Sequence, residues 1–286
     1  MPITVVEQGP PVHDHARSVP ETPLGFPRRY SFGQTLRSRY HAFWYHLGKR
    51  LAWSRGIYRE RPAERLQHLS GIQQERMASL RRRFRVRFEQ RVEQLTALKR
   101  YDYLDILAQA WSAWKLPHPT GGVVQDIGSS NFWYAAALHA FFRPTELVGI
   151  EVEGHRIYIN GYSRLDYAHG YIEDLPNTTF FVGDYTCYHR PADVVTAWYP
   201  FVTPDPVLAW RMPLSVLDPI ALFSRVAHNL PPHGLFIMVN QDRKEAAIAA
   251  AWCEQVGLAR YGSCEIAASL RPRLPAVASC WRRSHT

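Results

Sequence analysis

At 286 residues, 46% of them apolar, the chain is long enough for one sizeable folded domain with an appendage and too apolar for a disordered segment. No stretch approaches the ~20 uninterrupted apolar residues of a membrane span, and Met1 to Val12 lacks the basic-then-apolar order of an export signal. The formal net charge of +9 is uneven: residues 1–115 carry 21 Lys+Arg against 10 Asp+Glu, the remainder 13 against 15.

Residues 1–33, with prolines at 2, 10, 11, 20, 23 and 27, read as a proline-rich arm without sustained period. Residues 34–116 form a helical extension. Its clearest stripe sets Met77, Leu80, Phe84, Phe88, Val92 and Leu95 at steps of three and four, which predicts one amphipathic helix. Arg81, Arg82, Arg83, Arg85, Arg87 and Arg91 take its other faces and offer phosphates a surface, so nucleic acid is an alternative partner. Glutamates at 75, 89 and 93 interrupt that surface. A second segment places Leu104, Leu107, Trp111 and Trp114 on one face. Asp102 and Asp105 stand in its expected first turn and Pro117 just past its end.

Beyond Gly121-Gly122 the texture changes to alternating strands and helices over residues 117–286. Strands are predicted at 123–127, 147–151, 179–182, 193–197 and 235–239, and helices at 132–142, 155–172, 220–230 and 245–256. Two closing apolar stretches, 259–266 and 276–281, suit an antiparallel hairpin. The proline-rich connection 202–219 is long for such a fold and reads as a lid. The cysteines at 187, 253, 264 and 280 have no CxxC spacing; core thiols in a reducing cytoplasm are expected, with no metal.

The most informative stretch is Val123-Val124-Gln125-Asp126-Ile127-Gly128-Ser129-Ser130-Asn131-Phe132. It reads as a buried strand, a turn opening with an acid and a glycine, and a helix that offers free N–H groups to an anionic ligand. About twenty residues on, Glu151 ends the second strand, placed to accept both hydroxyls of a ribose. Asp184 and Tyr185 follow the third strand, suited to an adenine amine and its ring face. Trp198-Tyr199-Pro200-Phe201 follows the fourth as an aromatic wall, and Asn240 the fifth. Open α/β sheets bind ligands at these carboxyl ends, so the pattern points to a nucleoside cofactor. A dinucleotide dehydrogenase would want two further glycines in the turn.

This arrangement resembles the class I, Rossmann-like S-adenosylmethionine-dependent methyltransferases from about Leu104 to the C-terminus. Asp126-Ile127-Gly128 is similar to the start of that family's first motif, Glu151 to its strand-two acid and Asp184 to its adenine-binding acid. Residues 192–195 are similar to its strand-four motif and 230–238 to its helix-to-strand-five signature. Ser130 and Phe132 depart from it, standing where the family favours glycine. The resemblance implies an α/β fold with a seven-stranded sheet whose last strand is antiparallel. It also implies that S-adenosylmethionine is held by Asp126, Gly128, Ser129, Ser130, Glu151, Asp184 and Tyr185. Trp198, Tyr199, Pro200, Phe201 and Asn240 then face the acceptor. The reading is a cytoplasmic methyltransferase with a small-molecule acceptor and no membrane partner. Its alternatives are transfer of the cofactor's aminocarboxypropyl arm and a non-catalytic cofactor- or RNA-binding protein. No residue is singled out as catalytic.

Overall fold

The computed structural model describes residues 29–118, 120–268, 270–271 and 275–284. Most of the expected proline-rich arm falls outside them. The described chain opens with α1 (Phe32–Arg50), α2 (Gly71–Phe84) and α3 (Gln94–Trp114). Ser31 and Ser70 start the first two with reciprocal capping boxes to Gln34 and Gln73.

From there strands and helices alternate: β1 (Val123–Ile127), α4 (Ala135–Phe142), β2 (Glu146–Glu151), α5 (Arg164–Ile172), β3 (Thr178–Val182), β4 (Val194–Trp198), α6 (Pro204–Ala209), α7 (Pro219–Asn229), β5 (Leu235–Asn240), α8 (Arg243–Gln255), β6 (Leu258–Ile266) and β7 (Ala276–Arg283). The sheet order is β3-β2-β1-β4-β5-β7-β6, with β7 antiparallel to both β5 and β6 and the other pairings parallel. The chain leaves β1 toward β2 and β3, then returns to lay β4 against the other edge of β1. That reversal opens a crevice at the carboxyl ends of β1 and β4.

Alternation along each strand feeds two cores. Val124, Leu147 and Ala278 pack with Leu107 of α3 and Phe141 of α4; Val195, Phe236 and Met238 pack with Phe223 of α7 and Trp252 of α8. The helical extension is therefore part of the first core, through α3 lying on α4 and β6.

Four predicted elements differ. The segment expected to open with Asp102 and Asp105 starts earlier, at Gln94, so both acids lie buried inside α3 rather than in its first turn. The single stripe from Met77 to Leu95 is broken after Phe84, where Arg85 turns left-handed at φ 56°, and Leu95 is exposed. The cause is Tyr101 on α3. Its hydroxyl donates to Glu89 at 2.8 Å and accepts from the Arg81 guanidinium at 3.0 Å and the Phe88 N–H at 3.3 Å. The Phe88 ring also folds back to 4.8 Å from that of Tyr101. The helix expected from residue 132 starts at Ala135 because Phe132 has φ 56°. The helix expected from residue 155 starts at Arg164, where Ser163 and Asp166 form a capping box. The proline-rich connection contains α6.

Gly149 on β2 is needed where it stands, because a Cβ there would lie 2.6 Å from the Phe132 ring. Gly149→Ala is expected to lower unfolding stability by about 1–3 kcal/mol, measured by urea denaturation, since the fully buried Phe132 has little room to retreat.

Candidate cofactor site at the carboxyl ends of the sheet

Asp126 is wholly buried, and its carboxylate accepts three hydroxyl hydrogen bonds: from Thr196 on β4 at 2.5 Å, Tyr134 before α4 at 2.6 Å and Ser129 in the turn at 2.8 Å. Burial pushes its carboxyl up to about 7 against the pull of those donors. Asp126 therefore ties β1, β4, the turn and the start of α4 together, its carboxylate directed inward.

The turn itself has left-handed backbone at alternate residues: Gly128 at φ 68°, Ser130 at 53° and Phe132 at 56°. The two residues at glycine-favoured positions thus keep a glycine-like path, at a cost of roughly 1–2 kcal/mol each. The Phe132 ring points down onto Gly149 and toward Phe180, away from the crevice. Gly128 and Ser129 donate their N–H groups to the Ile150 carbonyl, Ser130 donates to Glu151 and Phe132 to the Ser129 carbonyl, so these N–H groups are not free for an anionic ligand as the sequence leads one to expect.

Glu151, 5% exposed, accepts from the Ser130 N–H at 2.7 Å, the Glu153 N–H at 2.9 Å and the Arg164 guanidinium at 3.0 Å. With about four lone-pair directions on a carboxylate, a diol has to share Glu151 with Arg164 or displace it. Asp184 is exposed and caps the following turn through the Thr186 N–H. Tyr185 is placed deeper. Its ring is buried on the α7 side, and its hydroxyl donates to Gln125 at 3.0 Å and accepts from Asn229 at 3.2 Å.

Over these acids lies α1, which packs on α6 through Gln34–Asp205 and buries Tyr45 against Val207, Leu208 and Met212. Burial pushes the Tyr45 phenol up, and Asp184, Glu153 and Glu151 add to the shift. Tyr45 thus lies within electrostatic reach of all three carboxylates.

On the β4 side, Trp198 stacks on Tyr103 of α3 at 4.1 Å, and Tyr103 also meets Trp133 and Tyr134 at 4.7 Å. Tyr199 is left-handed at φ 55°, and Phe201, beyond half-buried Pro200, joins the cluster around Tyr45. Asn240 is fully buried, and neither amide atom has a partner among the described residues. Asn131 Oδ1, His155 Nδ1, Arg164 Nε and Trp198 Nε1 are also buried without a partner among the described residues.

Asn131, which the sequence offers with Ser129 and Ser130 as a cap or ligand contact, stands in the turn; Tyr45, Tyr103, Tyr134, Arg164 and Thr196 were not among the residues the sequence nominates. Tyr134 follows the turn and could have been found there; the others arrive from distant elements with no motif to mark them. The arginine-rich segment lies elsewhere, along a cavity of about 1110 Å³ lined by Arg65, Arg81, Arg82, Arg85 and Arg87.

The buried Asp126 carboxyl holds its proton more tightly in the folded chain than in the unfolded one. Between about pH 4 and 7 the unfolded chain has released a proton that the folded chain keeps, so this group's contribution to stability is lost as pH rises through that window. Asp126→Asn removes the titration. Its stability relative to the parent is expected to improve by up to about 3 kcal/mol from pH 5 to pH 8, followed by urea denaturation at both values.

No protein-family model and no curated protein sequence matches the chain. Solved structures do resemble it. An S-adenosylmethionine-dependent methyltransferase from Clostridium acetobutylicum is 7% identical, over 64% of this chain and 92% of that one, with a TM-score of 0.44. The ribosomal protein L11 methylase of Lactobacillus delbrueckii subsp. bulgaricus is 10% identical, over 63% and 79%, at 0.44. A mutant of MtNAS in complex with S-adenosylmethionine is 12% identical, over 75% and 72%, at 0.45. In its own strand order and strand sense, the chain has the fold of the class I S-adenosylmethionine-dependent methyltransferases.

Proposed function

We propose that the protein binds S-adenosylmethionine at the carboxyl ends of β1 to β4 and transfers its methyl group to a small-molecule acceptor. The supporting observation is Asn240 at the end of β5, fully buried with neither amide atom bonded to a described residue, together with the unpartnered Asn131 Oδ1 after β1, Arg164 Nε beside Glu151 and Trp198 Nε1 at the end of β4; Trp114 and Arg282 leave such atoms elsewhere in the fold. A buried polar group left without a hydrogen bond costs about 1–3 kcal/mol, and a polar ligand in the crevice would offset that cost for Asn240 and the strand-end groups beside it.

The donor set suits the cofactor. The turn from Gly128 to Ser130, with the orphaned Asn131 amide oxygen, faces the methionine end. Glu151 takes the ribose, and Asp184, open to solvent, takes the adenine amine. Asp126 and Tyr185, both buried, act by supporting the turn and strand ends from within. Bound there, the cofactor supplies an electrophilic sulfonium methyl.

What the chain adds is placement and exclusion of water. Tyr45 closes the acid side, while Trp198 and Tyr103 with Tyr199, Pro200 and Phe201 wall the side where an acceptor enters. In-line transfer to an acceptor that is already nucleophilic needs positioning and desolvation more than a general base. The orphaned Asn240 amide is the polar group suited to orient that acceptor.

Isothermal titration with S-adenosylmethionine checks this reading. Saturable binding is expected, weakened about tenfold or more by Glu151→Gln and by Asn131→Leu, each of which removes a buried polar partner. S-adenosylhomocysteine is the product expected by mass spectrometry. Methylthioadenosine in its place would mean aminocarboxypropyl transfer, and absence of binding would remove the cofactor altogether.

A further inference from the structure

Helix α1 is seated with its polar side inward. Gln34 bonds Asp205, Ser38 accepts the Leu214 N–H, and Tyr45 is the residue it buries. On the opposite side Phe32, Leu36, Tyr40, Phe43 and Trp44 recur at steps of three to four, and each is 53–84% exposed. Leu51 and Trp53, just past the helix, are also more than half exposed. Scattered exposed apolar residues need no explanation, but a continuous aromatic stripe does.

We propose that this face of α1 docks the protein on an anionic lipid surface. Charge selects that occupant. Between Glu21 and Glu60 the sequence has no acidic residue, while Arg37, Arg39, Lys49 and Arg50 lie on α1 itself. At 3.6 residues per turn, Arg37 and Arg39 fall on either side of the apolar stripe. An apolar aromatic band bordered by arginines is the pattern of a helix lying in a headgroup layer, its rings at the acyl boundary and its cations on lipid phosphates. No described helix is long and apolar enough to cross a membrane, and interfacial docking needs none.

A second copy fits worse. Two such helices paired about a two-fold axis would bring Arg37, Arg39 and Arg50 together with no acid on either helix to meet them. RNA fits worse as well, because Leu36 and Leu51 supply no stacking surface and the cations border the aromatic band rather than alternate with it. The inference does not depend on methyl transfer, so either can fail alone.

Sedimentation of the full chain with vesicles tests it. Binding is expected to vesicles in which roughly a third of the lipid is phosphatidylglycerol, and not to pure phosphatidylcholine; it should weaken as salt rises. Leu36→Glu and Phe43→Glu should each lower apparent affinity at least about tenfold, and Arg37→Gln with Arg39→Gln should do likewise. All four positions are exposed or solvent-facing, so the thermal midpoint should stay within a few degrees of the parent's. No sedimentation with the anionic vesicles, or binding indifferent to the Leu36 and Phe43 changes, would overturn the proposal. So would a dimer in analytical ultracentrifugation that Phe43→Glu dissolves, or tighter retention of single-stranded RNA than of anionic vesicles.

Discussion

The carboxyl end of this sheet is organised around one buried carboxylate. Asp126 has no basic partner among its hydrogen bonds; it is held by three hydroxyls, each from a different piece of chain. Thr196 fixes β4 beside β1, Ser129 fixes the turn, and Tyr134 fixes the entry to α4. Tyr134 in turn packs on Tyr103 and Trp198, so the same knot positions the aromatic wall. A carboxylate so enclosed holds its proton more strongly than one in water, and its donors offset part of that penalty.

The knot also accounts for a turn that keeps a glycine path with a single glycine. Ser130 donates its N–H to Glu151, and Phe132 is locked over Gly149, so both left-handed residues are fixed from outside the turn. A small residue on β2 thus makes room for a large one in the turn. The bulk that departs from the family's glycine pattern is taken up by the core, and the crevice above stays clear of it.

Much of the sheet was legible in the sequence because its signal is local. Val123–Ile127 is bounded as the sequence predicts, and the other strands shift by one residue at one or both ends, apart from the last, whose end runs two residues further to Arg283. Gly257, at φ 81°, stands where the last helix gives way to β6. The break at Arg85 was not legible: no glycine or proline marks it, and its cause is a tyrosine hydroxyl on another helix. The site was legible as strand ends and opaque as side chains. Glu151 and Asp184 stand at the ends of β2 and β3, but that Arg164 would already engage Glu151 depends on a loop with no motif. Nor did periodicity reveal that Tyr185 would turn inward or that Tyr45 would roof the acids, since both depend on long-range packing. The same holds for the seating of α1 with Tyr45 inward, which the sequence does not mark.

The central claim is that a nucleoside sulfonium sits between the first turn and the acids beneath α1. Amide hydrogen exchange with and without S-adenosylmethionine tests it most directly. Slowed exchange is expected in residues 128–134 and 151–156 and in the half of α1 that carries Tyr45, with α8 and the β6–β7 hairpin unchanged. Binding that leaves the turn and the end of β2 unprotected, or protects only the arginine-lined cavity along α2, would contradict the account.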